Sequence, residues 1–254
     1  MKALILAAGR GTRLQNSERS PNKCMRMFNG RRLIEYSLES AFTSRVDEIV
    51  IVVGHQAESI INTFGISYRH VRISYVLQRE LKGLVSAMEY AREVLEGEDF
   101  ILLLGDEIVW DPHPRDMIEV FEDENLFALC GVADVSDMDE IRKTYAVFYN
   151  PYDNRIYRLV EKPRKPINSY KGTGNCVFRN EIFDYIPHTP VNQVRGEKEL
   201  PDLIQCAIDE GNPVKLYLIG SRYVNINTVG DIQLAEDIFK EHNIQWKDLI
   251  PALP

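Results

Sequence analysis

The sequence predicts an α/β fold: a Rossmann-like, mostly parallel sheet with helices on both faces. Three observations predict it. Short apolar runs alternate with amphipathic stretches, as in sheets covered by helices. The first run, Ala3-Leu4-Ile5-Leu6, passes straight into a loop of small residues and glycines. Polar side chains then recur just past the ends of the apolar runs, where open α/β sheets bind ligands.

The elements follow in order. Strands are expected at Lys2–Leu6, Glu48–Val53, Arg72–Leu77 and Phe100–Leu104. A first helix is marked by Leu33, Ile34, Leu38, Ala41 and Phe42, a stripe of helical period. A second runs from Ala57 to Phe64, and a third carries Leu84, Val85, Met88, Ala91 and Leu95. Phe127–Val132 reads as a further core strand. Tyr145–Tyr149 and Ile156–Val160, separated by the turn-rich Asn150-Pro151-Tyr152-Asp153-Asn154, read as an antiparallel pair. Thr173–Phe178 leads into a helix near Asn180–Tyr185, followed by a helix at Leu200–Asp209 and a strand at Val214–Ile219. The strand Tyr223–Ile226 and a helix from about Asp231 to Glu241 close the pattern. No internal repeat or low-complexity linker interrupts it, so one domain over 1–254 is expected.

Composition narrows the function. The chain has 254 residues, 44% of them hydrophobic, and a net charge of −8. An acidic chain of this kind is not a general nucleic-acid binder, which needs a basic face. Cys24, Cys130, Cys176 and Cys206 are scattered, without the spacing of a zinc site or a disulfide framework. A cytoplasmic location is expected. No cleavable leader is read at the N-terminus and no apolar run is long enough to span a bilayer, so no membrane partner is expected. The tail from His242 to Pro251 presents apolar residues that would either meet a partner subunit or cover the chain's own core, which leaves a homo-oligomer open.

The loop Leu6-Ala7-Ala8-Gly9-Arg10-Gly11-Thr12-Arg13-Leu14 carries the most chemistry. Small residues let backbone N–H groups approach a phosphate closely. Arg13 adds a planar guanidinium suited to phosphate oxygens, and Lys23 follows within reach. A dinucleotide-binding fingerprint would need a third glycine, where Leu14 stands, and an acid after the second strand, where Gly54-His55-Gln56 has none. A polyphosphate is therefore the expected ligand.

Three further groups lie at strand ends. Asp106 follows Phe100–Leu104 and Gly105, poised to bind a hard cation such as Mg²⁺ together with phosphate oxygens. A helix cap or a plain turn would use the same residue. Asn225 and Asn227 alternate onto one face, and the Asn227 amide oxygen would be a second metal ligand or an N-cap. Glu161-Lys162-Pro163 sets an acceptor beside a cation, for sugar hydroxyls and phosphate or as a solvated surface pair.

Together these segments resemble the sugar-1-phosphate nucleotidylyltransferases. Leu6–Leu14 with Pro21 and Lys23 is similar to that family's L-A-A-G-x-G-T-R-L … P-K signature. Gln78-Arg79-Glu80-Leu81-Lys82-Gly83-Leu84 resembles its base-reading segment, Gly105-Asp106 its metal motif, and Glu161-Lys162-Pro163 its E-K-P. Thr173-Gly174 resembles the Thr-Gly of its sugar pocket. Arg195–Asp202 resembles the R-G-E-x-E-I-T-D of the glucose-1-phosphate thymidylyltransferase branch, and Asn227 is the residue type of the acetylglucosamine-phosphate uridylyltransferase branch. The match keeps its order over nearly the whole chain. Four departures stand out: Asn22 between Pro21 and Lys23, Ala146 where Gly follows Tyr, Asn227 for an acid, and Pro201 for Thr. The Ala146 methyl is expected to crowd a sugar hydroxyl. A hexapeptide-repeat acyltransferase domain is not expected.

The resemblance implies transfer of a nucleotidyl group from a nucleoside triphosphate, dTTP or UTP, to a sugar 1-phosphate, with release of pyrophosphate. It implies a nucleotide-binding half over about 1–130 and a sugar-binding half over about 131–254, the latter containing a small antiparallel portion. Arg13, Lys23 and Asp106 would be catalytic. Leu6, Ala8, Gly9, Gly11, Thr12, Gln78 and Gly83 would hold the nucleotide. Glu161, Lys162, Gly174 and Arg195 would hold the sugar phosphate, and Asp106 with Asn227 would hold Mg²⁺. A cytidylyltransferase for a phospho-alcohol or phosphonate, or a silent nucleotide-sugar sensor, are the competing readings. Arg195–Glu199 favours the sugar over the phospho-alcohol.

Overall fold

The computed structural model describes residues 1–11 and 22–241. The first half contains β1 (Lys2–Ala7), β2 (Met27–Phe28), β3 (Arg31–Arg32), α1 (Leu33–Thr43), β4 (Glu48–Val53) and α2 (Ala57–Phe64). It continues with β5 (Ser67–Tyr68), β6 (Val71–Leu77), α3 (Gly83–Leu95), β7 (Phe100–Leu104), β8 (Glu107–Trp110) and α4 (Pro114–Asp123). The second half contains β9 (Ala128–Asp134), α5 (Met138–Ile141), β10 (Tyr145–Tyr149), β11 (Ile156–Glu161), β12 (Tyr170–Phe178) and a 3₁₀ helix over Asn180–His188. The remaining elements are β13 (Val191–Asn192), β14 (Glu197–Lys198), α6 (Leu200–Asp209), β15 (Val214–Leu218), β16 (Arg222–Asn225) and α7 (Val229–Glu241).

One sheet runs in the order β11-β10-β12-β7-β1-β4-β6-β5, with β9 and then β15 attached along the other side of β12. β1 pairs in parallel with both β4 and β7, and β4 with β6. β12 runs against β7, β9 and β10, while β15 runs with β9. Only β5, β11 and β12 therefore oppose the common direction within the described sheet. The mostly parallel arrangement and the antiparallel portion around β10 and β11 match the expected fold class.

Both faces of the sheet are covered, and β1 shows why. Successive side chains of a strand point to opposite faces. Leu4 and Leu6 join a core built with residues of α3 and α6. Ala3, Ile5 and Ala7 join another built with α1, α2 and α4. Burial on both sides requires apolar residues at every position, which is why these strands read as unbroken apolar runs. A third cluster packs Phe28, Trp110 and Phe239 together and clamps α7 against the ribbon of β8 and β16.

The register aligns the carboxyl ends. Ala7 lies beside Val53, Val53 beside Leu77, and Leu6 beside Leu104. The chain that follows each strand (Ala8-Gly9, Gly54-His55, Gln78 and Gly105-Asp106) consequently emerges along one rim. The β8–β16 ribbon pairs Glu107 with Asn225, and the Ile226 N–H donates to the Asp106 carbonyl at 2.9 Å. This brings the last strand beside the rim.

Sequence patterning missed β8 and α4. The first opens with Glu107, a charge that masks the strand behind it. Helix α4 starts with Pro114 in its first turn and buries Met117, Ile118 and Phe121. That spacing is helical and was available in the sequence.

Candidate active site

A cleft of about 770 Å³ opens at the rim. Leu6, Ala8 and Gly9 line it from β1, Gln78 and Gly83 from β6 and α3, and Asp106 and Asn227 from the ribbon side. Glu161, Lys162, Gly174 and Arg195 line it from the second half. Eleven of the candidate residues thus face one cavity. Lys23 meets the cleft through Asp106 and Asn227, and Gly11 packs on Lys23. Thr12 and Arg13 lie outside the described residues, as do Leu14, Pro21 and the apolar tail.

Two details position Lys23. Gly11 has φ +60, and a Cβ there would come within 2.7 Å of the Lys23 Cβ, so the loop needs glycine to pass the lysine stem. Asn22, fully buried, donates from Nδ2 to the Ala7 carbonyl at 2.9 Å and to the His55 carbonyl at 2.8 Å. Its Oδ1 accepts from the Cys24 N–H at 2.8 Å and caps the short 3₁₀ turn Lys23–Met25. The residue that looked like an insertion is thus a staple between the ends of β1 and β4.

Lys23 points between Asp106 and Asn227. Its ammonium forms an ion pair with Asp106 and donates to Asn227 Oδ1 at 3.0 Å. Burial works against its charge, but Asp106, together with Cys24 and Glu107, outweighs it, and the lysine pKa stands above its ordinary value. The neighbouring Cys24 thiol is pushed up to about 12, mainly by burial, and is inert as a nucleophile near neutral pH. Asn227 is not the helix cap. Thr228 and Asp231 cap α7 reciprocally: the Thr228 N–H donates to Asp231 Oδ2 at 2.7 Å, and the Asp231 N–H to Thr228 Oγ1 at 3.3 Å. The Asn227 side chain is left facing Lys23.

The sequence did not single out Glu107, the residue after Gly105-Asp106. It is buried and accepts from Tyr223, Gly174, Asn175 and Asn225. Burial, with the Asp106 charge adding to it, pushes the Glu107 carboxyl up to about 7, while the Tyr223 and Gly174 hydrogen bonds and the Lys171 charge favour its ionised form. Arg10 and Lys143 also line the cleft as cations the sequence reading passed over. Their signal was their place beside Gly9 and before Tyr145.

The far end holds a charged cluster. Lys162 sits at φ 44, directly after β11, with its N–H on the Thr144 carbonyl at 2.6 Å. Its ammonium is 3.1 Å from Glu161. Burial raises the Glu161 pKa, and Lys162 moderates the shift. The Arg195 guanidinium lies 2.9 Å from Glu199, 3.5 Å from Glu197 and 3.6 Å from Glu161. Gly83, at φ +87, admits Glu197: a Cβ there would fall 2.8 Å from Glu197 Oε2. The Gln78–Gly83 segment and the Arg195 segment therefore touch. Gln78 is buried, with Nε2 3.5 Å from the Gly83 carbonyl.

Gly174 lines the cleft with its N–H already committed, donating to Glu107 Oε1 at 3.1 Å. Its lack of a side chain admits Leu104, whose Cγ would lie 2.3 Å from an added Cβ. One expectation needs correction: Ala146 does not crowd the cleft. It is buried within the sheet, opposite Val160 and Lys171, while its neighbour Tyr145 lines the cavity. Strand alternation turns the methyl away from the ligand face.

Among the described residues no group of three or more His, Cys, Asp or Glu could hold a metal, and no helix is long and apolar enough to cross a membrane. A family model described as "Nucleotidyl transferase" matches residues 2–249. The chain belongs to this family. The nucleotidyl transferase is 30% identical over 245 residues to a UTP–glucose-1-phosphate uridylyltransferase of Haloferax volcanii, covering 96% of this chain and 99% of that one. It is 28% identical over 244 residues to a glucose-1-phosphate thymidylyltransferase of Streptomyces griseus, covering 91% and 64%. A UDP-glucose pyrophosphorylase solved with UDP-glucose has the same fold, with a TM-score of 0.85 at 20% identity over 95% of this chain and 98% of that one.

Proposed function

We propose that this nucleotidyl transferase joins UTP or dTTP to a sugar 1-phosphate, giving a nucleoside-diphosphate sugar and pyrophosphate. A phosphate oxygen of the sugar phosphate attacks the α-phosphorus in line. The new P–O bond forms as the bond to the β-phosphate oxygen breaks, and pyrophosphate leaves with that electron pair. No covalent enzyme intermediate is required. The work of the protein is to gather two anions and to stabilise spreading negative charge.

The observation that carries this reading is the Lys23 ammonium, held by Asp106 and Asn227 on the wall of a cleft whose other end carries Glu161, Lys162 and Arg195. In this scheme the backbone from Gly9 to Thr12 holds the triphosphate and Arg13 the departing pyrophosphate. Lys23 neutralises charge at the α-phosphate. Lys162 and Arg195 anchor the sugar phosphate, and Glu161 accepts from sugar hydroxyls. Gln78 and Gly83 meet the base, where a side-chain amide with both donor and acceptor suits a uracil or thymine edge.

The oxygens of Asp106 and Asn227 converge on one positive charge, and two hard protein oxygens suit Mg²⁺ completed by phosphate and water. Bound there, Mg²⁺ would supply charge neutralisation on the phosphate oxygens. The continuous sheet through β7 and β12 supports one domain with a nucleotide half and a sugar half. The four free cysteines support a cytoplasmic enzyme.

The test is a panel of nucleoside triphosphates against sugar 1-phosphates, with pyrophosphate release as the readout. Turnover with UTP or dTTP and glucose 1-phosphate is the expected result. Turnover only with CTP and a phospho-alcohol, or none with any pair, overturns the proposal.

A further inference from the structure

Glu107 opens β8 with its carboxylate beneath the cleft floor. Tyr223 Oη donates to Oε1, and so do the Gly174 N–H at 3.1 Å and Asn225 Nδ2 at 3.3 Å. Oε2 accepts from Asn175 Nδ2 at 2.6 Å. These donors come from β12 and β16, strands far apart in sequence. Only an acceptor on both oxygens satisfies them all. A glutamine would turn an NH₂ group toward at least one donor, leaving buried polar groups unpaired.

One of the four partners leads on to the rim. Asn225 gives its amide hydrogen to Glu107, so its oxygen faces the other way and accepts from Asn227 Nδ2 at 2.6 Å. With Nδ2 tied down, Asn227 turns Oδ1 toward the Lys23 ammonium beside Asp106. A flipped Asn227 amide would present NH₂ to that point and repel a cation. The polarity of each amide in the chain is thus set by the acceptor-only carboxylate at its root.

We propose that Glu107 is a positioning residue. Through Asn225 it fixes the Asn227 amide so that its oxygen, with that of Asp106, faces the cation site. The inference rests on the assignment of Asp106 and Asn227 as metal ligands. Residues that orient metal ligands typically change metal affinity 10- to 100-fold when altered.

The test measures Mn²⁺ dissociation constants by EPR titration for the wild-type protein, Glu107→Gln and Asn225→Ala, with thermal unfolding of each. Both variants are expected to bind Mn²⁺ about tenfold or more weakly. Asn225→Ala keeps three of the donors on Glu107 and decides the question if Glu107→Gln fails to fold. A role confined to folding would lower the Tm and leave Mn²⁺ affinity unmoved. Wild-type binding with either folded variant within about twofold of it overturns the inference alone. Absence of Mn²⁺ binding by the wild type overturns the metal assignment and this inference with it.

Discussion

Replacing Lys23 with methionine removes one charge while keeping most of the side-chain volume. The lysine side chain is only 10% exposed and its ammonium touches both Asp106 and Asn227. Loss of one preorganised donor to a transition-state charge costs about 10²–10³ in turnover, or roughly 2.7–4 kcal/mol. The variant is therefore expected to lose about that factor in kcat/KM for pyrophosphate release. Stability changes too. Asp106, 15% exposed, loses its partner, a cost of about 1–3 kcal/mol, and about 2–4 °C of Tm per kcal/mol follows for a chain of this size. Added Mg²⁺ then meets no competing ammonium, so it should raise the Tm of Lys23→Met more than that of the wild type. Differential scanning fluorimetry with and without Mg²⁺ reads this directly. Turnover within about threefold of wild type would refute the assignment of Lys23 to the phosphate. A smaller Mg²⁺ response in the variant would refute the shared cation site.

Asp106→Asn should weaken the response to Mg²⁺, seen as a rightward shift of the magnesium titration of activity; an unchanged titration places the metal elsewhere. Gly174→Ala would drive a Cβ to 2.3 Å from Leu104, so a drop in Tm and a loss of activity are expected, and a Tm equal to wild type would contradict the close packing under the cleft. Glu48 accepts from Ser74 and pairs with Lys2 at 3.1 Å. Burial opposes its charge, but these partners prevail and its pKa falls below its ordinary value of 4.5. Its contribution to stability is full above that value and is lost as pH falls through the lowered folded-state pKa. Urea unfolding from pH 6 to pH 3 should therefore show a smaller acid loss in Glu48→Gln than in the wild type, and parallel curves would remove the claim.

The parallel half of the fold was legible because each central strand is buried on both faces and so wrote itself as an apolar run. The rim was legible for a related reason: Asp106, Glu161 and Asn227 each interrupt such a pattern at a strand end. Other features depended on partners remote in sequence. Glu107 meets Asn175, Tyr223 and Asn225 only after folding, so nothing local distinguished it from Asp106. Ala146 was assigned to the ligand by position in a motif, whereas strand alternation beside Tyr145 turns it into the sheet. Asn22 looked like a disturbance of Pro21 and Lys23 until its two carbonyl partners were known.

That asparagine has an evolutionary corollary. Lys23 hangs from the sheet itself, through a neighbour bonded to the carbonyls of Ala7 and His55, and Gly11 must stay small for its stem to pass. Substitutions at Asn22 or Gly11 would therefore unseat the ammonium. Descendants of this chain are expected to keep both residues wherever Lys23 keeps its place.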